Sequence, residues 1–502
     1  MLLKTIIQRG LLLVMFCQLM LSANAQQILT LEKALEIANA NSPDIRESLL
    51  NLKNNEETLK AQNAALKSNF SLNLKPFSYD KTRKYQDYTS TWYTGKNAGS
   101  GGTFTVAQPF LPTDATISLI NNFGYQDNYV IQPDPKSKED VKTPNKAFYN
   151  SLSLKVDQPI FTYNKTKLTL KGLELNLENA QLDYAMQKLK LEKQVTQFFY
   201  NVYLTQMKLT ISQDELKTTQ KSYEITQNKV TAGIAAKEEL YQAELNFATA
   251  KSTVQNNQVT LDNYKDQFKQ YIGIDVMDEI TVMTDVALNP VPVDVKKAIE
   301  YGLNSRMELR QRSIDIEKSQ FEMIRKKADN EFKGSIALSL GLSGDDPSLP
   351  NVYQTPTNQP KAEISFNIPI YDWGKKKAQI KAQEATIEIS KLNFENQKVQ
   401  IVLDIRSAYR NLQNQVNQID IAAQNEKNAQ LTYEINLERY ANGDLTSMDL
   451  NLYQTQLSTK KMTYAQALID YKIELLNIKI QSLYDFEKNE AILPANLIQK
   501  KQ

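Results

Sequence analysis

The sequence predicts a mainly α chain built from two tandem repeats, each a strand hairpin followed by a long helical hairpin. Three observations predict it. Apolar residues recur every seven positions over two long proline-free stretches, the whole pattern returns 210 residues later, and strictly alternating segments precede each stretch. Composition agrees, since 15 Gly and 16 Pro in 502 residues are few while Gln, Asn, Leu, Lys and Glu abound.

The chain begins with Lys4 and Arg9, an apolar run from Leu11 to Leu21, and Ala23-Asn24-Ala25. This is the pattern of a secretory signal peptide, so residues 1–25 are expected to be removed, leaving Gln26 first. The run is short for a spanning helix. Cys17 lies inside it, and Val14-Met15-Phe16 lacks the small residues that precede a lipoprotein cysteine. The processed chain would then hold no cysteine, and 57 basic residues would balance 57 acidic ones. Together with the absence of histidine, this removes His-based catalysis, Cys/His metal sites and a disulfide framework. Balanced charge argues against nucleic-acid binding. No later stretch approaches 18 uninterrupted apolar residues, so the exported chain is either soluble beyond the inner membrane or a β-barrel.

Two segments anchor the repeat: Pro159-Ile160-Phe161-Thr162-Tyr163-Asn164-Lys165 and, 210 residues on, Pro369-Ile370-Tyr371-Asp372-Trp373-Gly374-Lys375. After the first come Val195, Val202, Leu209, Leu216, Tyr223 and Val230. After the second, at the same displacement, come Ile405, Leu412, Ile419, Glu426, Tyr433 and Tyr440. Gly233 and Gly443 follow in register. Beyond them Leu240, Phe247, Val254, Leu261 and Phe268 match Leu450, Leu457, Tyr464, Tyr471 and Ile478. A sustained seven-residue period requires supercoiled helices. At ~1.5 Å per residue, each ~65-residue ascending helix would run ~100 Å before its glycine turns the chain back. A weaker match joins Ala34-Leu35-Glu36 to Ala298-Ile299-Glu300. The repeats are placed at 26–275 and 276–484, with a tail at 485–502. Taken alone, these helices also suit a soluble antiparallel coiled-coil rod.

The alternating segments shift that balance. Phe70, Leu72 and Leu74, then Leu152, Leu154 and Val156, alternate with polar residues in the first repeat. Ile336, Leu338, Leu340 and Leu342, then Ile364, Phe366, Ile368 and Ile370, do so in the second. Period two gives strands with one oily face, of a length that crosses a bilayer when tilted. The stretches 80–102 and 345–360, rich in Gly, Pro, Asn, Ser and Tyr, read as exposed loops. Phe104–Val106 and Ile117–Phe123 read as an extension of the first loop, with a further strand hairpin across 103–125 as the alternative. Four strands cannot close a membrane barrel, and lipid tolerates no open edge. Several chains must therefore share one barrel, and three would supply twelve strands.

With Leu29-Thr30-Leu31-Glu32-Lys33-Ala34-Leu35 leading to Asn41-Ser42-Pro43-Asp44-Ile45-Arg46, the duplicated hairpins resemble the TolC-like outer-membrane efflux proteins. Glu438-Arg439-Tyr440-Ala441-Asn442-Gly443 with Ser447-Met448-Asp449-Leu450 is similar to that family's second-repeat tip, and Tyr371-Asp372-Trp373-Gly374-Lys375 to its strand-to-helix junction. The resemblance spans almost all of the chain after residue 25. It implies a homotrimer: a twelve-stranded barrel, four strands per chain, in the outer membrane of a Gram-negative bacterium, continuous with an α-helical coiled-coil tube across the periplasm. A collar is expected around residues 275–330 and 480–502. It also implies a periplasmic adaptor protein and an inner-membrane pump as partners, contact with outer-membrane lipid, no cofactor or metal, and passage of cargo without covalent change. No carboxylate sits in a loop resembling a catalytic pocket, so no enzyme is expected.

Gly233, Ile234, Gly443, Asp444 and Leu445 are the expected periplasmic tip and adaptor contact. Glu239 and Asp449, each six residues after a turn glycine, are the candidate aperture acids. Threefold symmetry would make Asp449 a ring of carboxylates that binds cations; an ordinary helix-start acid would look the same. Leu445 and Leu452 stand where the family's best-studied member carries a latching arginine and a second lumen carboxylate, so those gating contacts are not carried over. The competing function is a soluble periplasmic or surface coiled-coil scaffold or adhesin.

Overall fold

The computed structural model describes residues 27–87, 90–134, 139–283, 290–329, 331–442 and 444–492. The expected signal peptide, Gly443 and most of the expected tail lie outside them. The chain divides into two units: Met1–Leu52, Ala180–Gln311 and Phe394–Gln502 form one, and Lys53–Asn179 with Arg312–Asn393 the other.

The second unit is built on one antiparallel sheet. Its long strands are β2 (Asn69–Gln86), β3 (Thr91–Phe110), β4 (Ala115–Pro133), β5 (Asp140–Ile160), β7 (Lys333–Asp346) and β9 (Lys361–Asn367), paired in that order, with the short β8 (Thr357–Asn358) also on β7. Among the described residues there are thus six long strands in this sheet rather than the four per chain expected. Most of the described part of 80–102 and of 103–125, read from sequence as loop, is paired strand: the end of β2, all of β3 and the start of β4. The reason is steric. Gly99, Gly101 and Gly102 on β3 and Gly124 on β4 let neighbouring strands approach where a Cβ would collide; at Gly99 it would lie 2.6 Å from the Tyr125 carbonyl oxygen. The Tyr149 hydroxyl lies where Cβ atoms of Gly101 and Gly124 would stand, so its ring covers both bare positions. Glycines that signal a loop in sequence here permit a sheet.

Register sorts the two faces. Phe70, Val106, Leu119, Leu154 and Leu340 form one cross-strand row, and Leu72, Phe104, Asn121, Leu152 and Leu342 the next. This face is exposed, with Phe70 at 68 % and Leu340 at 67 %. On the opposite face Asn73, Thr103, Asn122, Ser151 and Ser343 line up. The Thr103 hydroxyl donates to Asn122 Oδ1 at 2.7 Å, and Asn122 Nδ2 donates to Ser151 Oγ at 3.3 Å. Among the described residues β2 pairs only with β3 and β9 only with β7, so both rims are open.

The first unit is helical. α1 (Leu31–Asn41) and α5 (Val295–Ser305) lie within it, while α2 (Pro43–Ala65) and α6 (Met307–Ala328) start in it and run on into the second unit, where they lead to the sheet. Two antiparallel pairs carry the core: α3 (Lys165–Thr231) with α4 (Lys237–Ile272), and α7 (Lys375–Asn442) with α8 (Ser447–Ser482). Every seven-residue position is buried or half-buried, Val195, Val202, Ile405 and Ile478 completely. The region expected as a collar holds β1 (Gln27–Leu29) parallel to β6 (Ile280–Val282), α5, and the β10–β11 pair (Tyr484–Asp485, Glu490–Ala491). Lys479 bridges Glu192 and the buried Asp485, each at 3.2 Å. Burial opposes ionisation of Asp485, but the Lys488 and Glu487 amides and the Lys479 ammonium outweigh it and hold its carboxyl below the usual aspartate value. No helix among the described residues is long and apolar enough to cross a membrane.

Candidate functional site

Turn chemistry sets the two hairpin tips. α3 ends in a Schellman motif: Ile234 N–H donates to Lys229 O at 2.8 Å and Gly233 N–H to Val230 O at 3.0 Å. That geometry needs the positive φ of +75° at Gly233, whose open surroundings would hold a side chain, so conformation and not space selects glycine. The second tip repeats the long bond, Asp444 N–H to Arg439 O at 2.9 Å. Ile234 is 77 % exposed, Asp444 is exposed and Leu445 half-buried.

The candidate aperture acids differ in their surroundings. Glu239 sits exposed in the first turn of α4, whose N-cap, Ala236, supplies no side-chain acceptor. Asp449 occupies the matching place in α8, also exposed, but Thr446 caps that helix: its hydroxyl accepts from Asp449 N–H at 3.2 Å and donates to Asp449 Oδ2 at 2.6 Å. Asp449 is therefore both a helix-capping partner and a solvent-facing charge.

Behind the tips the hairpins pack together. Tyr440 is buried, its hydroxyl 3.1 Å from Ser222 Oγ and its ring under the Lys229 ammonium. The contact faces of α3 carry a second seven-residue row, Thr205, Ser212, Thr219 and Thr226, all buried. Each hydroxyl bonds a carbonyl of its own preceding turn, Thr205 to Asn201 at 2.7 Å and Thr226 to Ser222 at 2.9 Å, so small polar residues pack without stranding a donor. This row is visible in sequence as Ser/Thr at fixed spacing but is masked by the apolar row three residues away. Between the hairpins a groove of about 650 Å³ is lined by Ser212, Glu215, Asn257, Gln415, Thr455 and Ser458. Burial raises the Glu215 carboxyl above its ordinary value against a 3.4 Å bond from Thr455.

The strand-to-helix junctions break the internal symmetry. In the first repeat the β3–β4 turn caps α3: Asp114 accepts from Lys165 N–H at 3.1 Å and from Thr166, and Asn164 Nδ2 donates to Leu111 O at 2.5 Å. In the second, Asp372 caps α7 from the segment leading into it, accepting from Gly374 and Lys376 N–H at 2.9 Å, and Ile370 and Trp373 stay 94 % and 88 % exposed.

The model of the family described as outer membrane efflux protein matches residues 118–273 and 305–480. The Escherichia coli (strain K12) outer membrane protein TolC is 22% identical over 339 residues, 66% of this chain and 68% of its own length. Among solved structures, the Campylobacter jejuni CmeC outer membrane channel superposes with a TM-score of 0.67 at 15% identity, over 91% of this chain and 88% of that one. The open state of the Neisseria gonorrhoeae MtrE outer membrane channel does so at 0.63 and 12%, over 92% and 90%. The two matched stretches make up most of its length, and the chain belongs to the outer membrane efflux protein family.

Proposed function

We propose that three copies join rim to rim, β9 of one beside β2 of the next, to close one outer-membrane barrel, and that the helical hairpins prolong its lumen as the exit duct of an efflux or secretion system. The observation that carries this reading is the open sheet: an exposed apolar face bounded by two strands with unpaired outer edges cannot stand in lipid unless other copies complete it. With six long strands per copy, three copies make an eighteen-stranded wall. Its polar face, carrying the Asn73 to Ser343 row, becomes the water-filled interior.

Gly233, Ile234, Gly443, Asp444 and Leu445 form the surface offered to a periplasmic adaptor protein that links the duct to an inner-membrane pump. Asp449, with Glu239 beside the same turn in the other hairpin, lines the aperture as a threefold ring that holds cations. The chain acts as conduit and not as catalyst. A soluble scaffold would fold its oily strand faces inward, whereas here Ile364 is 60 % and Phe366 52 % exposed. Detergent-solubilised protein is expected to migrate as a trimer and to conduct ions across planar bilayers. A stable monomer in detergent-free buffer overturns the reading.

A further inference from the structure

The outward face of the sheet changes chemistry along its length. Starting from the end where β5 and β9 lead into helices, the outward face of β4 carries Ile117, Leu119, Phe123 and Tyr125 over about 26 Å at ~3.3 Å per residue, with Asn121 the one polar side chain in that run. Aromatic Tyr79, Tyr125 and Phe148 follow, the last two with ring centroids 4.9 Å apart. Beyond them, at the end away from the helices, register brings Lys81, Arg83, Lys96, Lys142 and Lys146 onto that same face.

Several details show that these cations are held as a group. Lys81 stands directly opposite Lys96 across the β2–β3 ladder, a like-charge pairing that a sheet ordinarily avoids. The Tyr129 ring lies between Lys142, 4.3 Å from its centroid, and Lys96, at 5.5 Å, while Arg83 lies 5.0 Å over Trp92. Three carboxylates share this end of the face. Asp127 bridges Lys96 at 3.5 Å and Lys146 at 3.8 Å, Asp140 lies at the far end of β5, and Asp346 accepts from Ser348 N–H and Asn351. Among the described residues, five cations stand against three acids on this strand face just past the aromatic girdle, while Asp87, Asp134 and Glu139 lie off it in the adjoining turns.

We propose that this rim is a docking surface for phosphorylated glycolipid headgroups of the outer leaflet. The proposal rests on the outer-membrane reading above, which puts the helix-free end of the sheet at the external surface. A bilayer-spanning strand face places its first polar rows at headgroup level, and an excess of Lys and Arg there complements lipid phosphate. Aromatic rings fix the cations in place, and a phosphate seated between Lys81 and Lys96 removes their mutual repulsion.

The test uses full-length protein in detergent micelles, incubated with lipid A or with the same lipid stripped of its phosphates, and native mass spectrometry counts retained molecules. Wild-type protein should retain the phosphorylated form selectively. Lys81→Gln combined with Arg83→Gln and Lys142→Gln should weaken that retention by about tenfold or more, since each cation near a lipid surface contributes on the order of 1 kcal/mol. Lys75→Gln with Lys84→Gln, on the opposite face of β2, should leave it unchanged. Trimeric, membrane-inserted protein that retains both lipids equally, or a triple variant that binds like wild type, overturns the docking surface alone. Protein that never partitions into membranes overturns the duct reading and this proposal together.

Discussion

At the residue scale, one substitution separates the cap contact of Asp449 from the aperture role proposed for it. Asp449→Asn keeps an acceptor for the Thr446 hydroxyl, so α8 should lose under about 0.5 kcal/mol, whereas Thr446→Ala removes the cap and should cost about 1 kcal/mol. If Asp449 forms a ring, the Asn variant conducts with weakened block by divalent cations; block identical to wild type in single-channel recordings rejects the aperture assignment. Glu215 offers a pH signature. Burial raises its carboxyl in the folded state, so protonation favours folding, and the contribution is complete below the ordinary value of 4.5 and lost as pH rises through the raised one. Glu215→Gln should therefore raise the melting temperature at pH 7 and above, with the gain disappearing near pH 4; a gain constant across that range contradicts the burial argument.

At the element scale, the strand glycines and helix glycines make opposite predictions. A Cβ at Gly124 would meet Gly101 Cα and the Tyr149 hydroxyl at 2.7 Å, so Gly124→Ala should cost about 1–3 kcal/mol and deplete the heat-modifiable folded band on gels. Gly172, inside α3 with nothing within 4 Å, should accept Ala with a gain of about 0.5–1 kcal/mol. The same glycines explain which elements were legible. Heptads from Val195 to Val230 and from Ile405 to Tyr440 identify the long helices because a single seam repeats for many turns. Phe70–Leu74 and Leu152–Val156 identify strands because alternation there is unbroken. β3 escaped because Gly95, Gly99, Gly101 and Gly102 erase its alternation: their role depends on Tyr149 and the β4 backbone, which no local pattern reveals. The tip was legible as a turn at Gly233, but the Thr446 cap and the buried Thr205–Thr226 row are tertiary facts seen only when the hairpins pack.

At the scale of the whole molecule, rim pairing can be trapped directly. The expected processed chain carries no cysteine, so Ser71→Cys on β2 with Ser365→Cys on β9, two residues on the polar face near one end of the sheet, gives a clean background. Oxidation should produce a three-chain ladder resistant to boiling without reductant, and a ladder that never exceeds one chain rejects rim-to-rim closure. The two open rims also bear on how the protein is made. A lone copy has no way to satisfy its edge amides in hydrocarbon, so it cannot enter a bilayer first and find its companions afterwards. Insertion and association must coincide, the yield of finished particles should climb steeply with the number of chains present, and any surplus copies would wait in the aqueous compartment as chaperone clients or protease substrates.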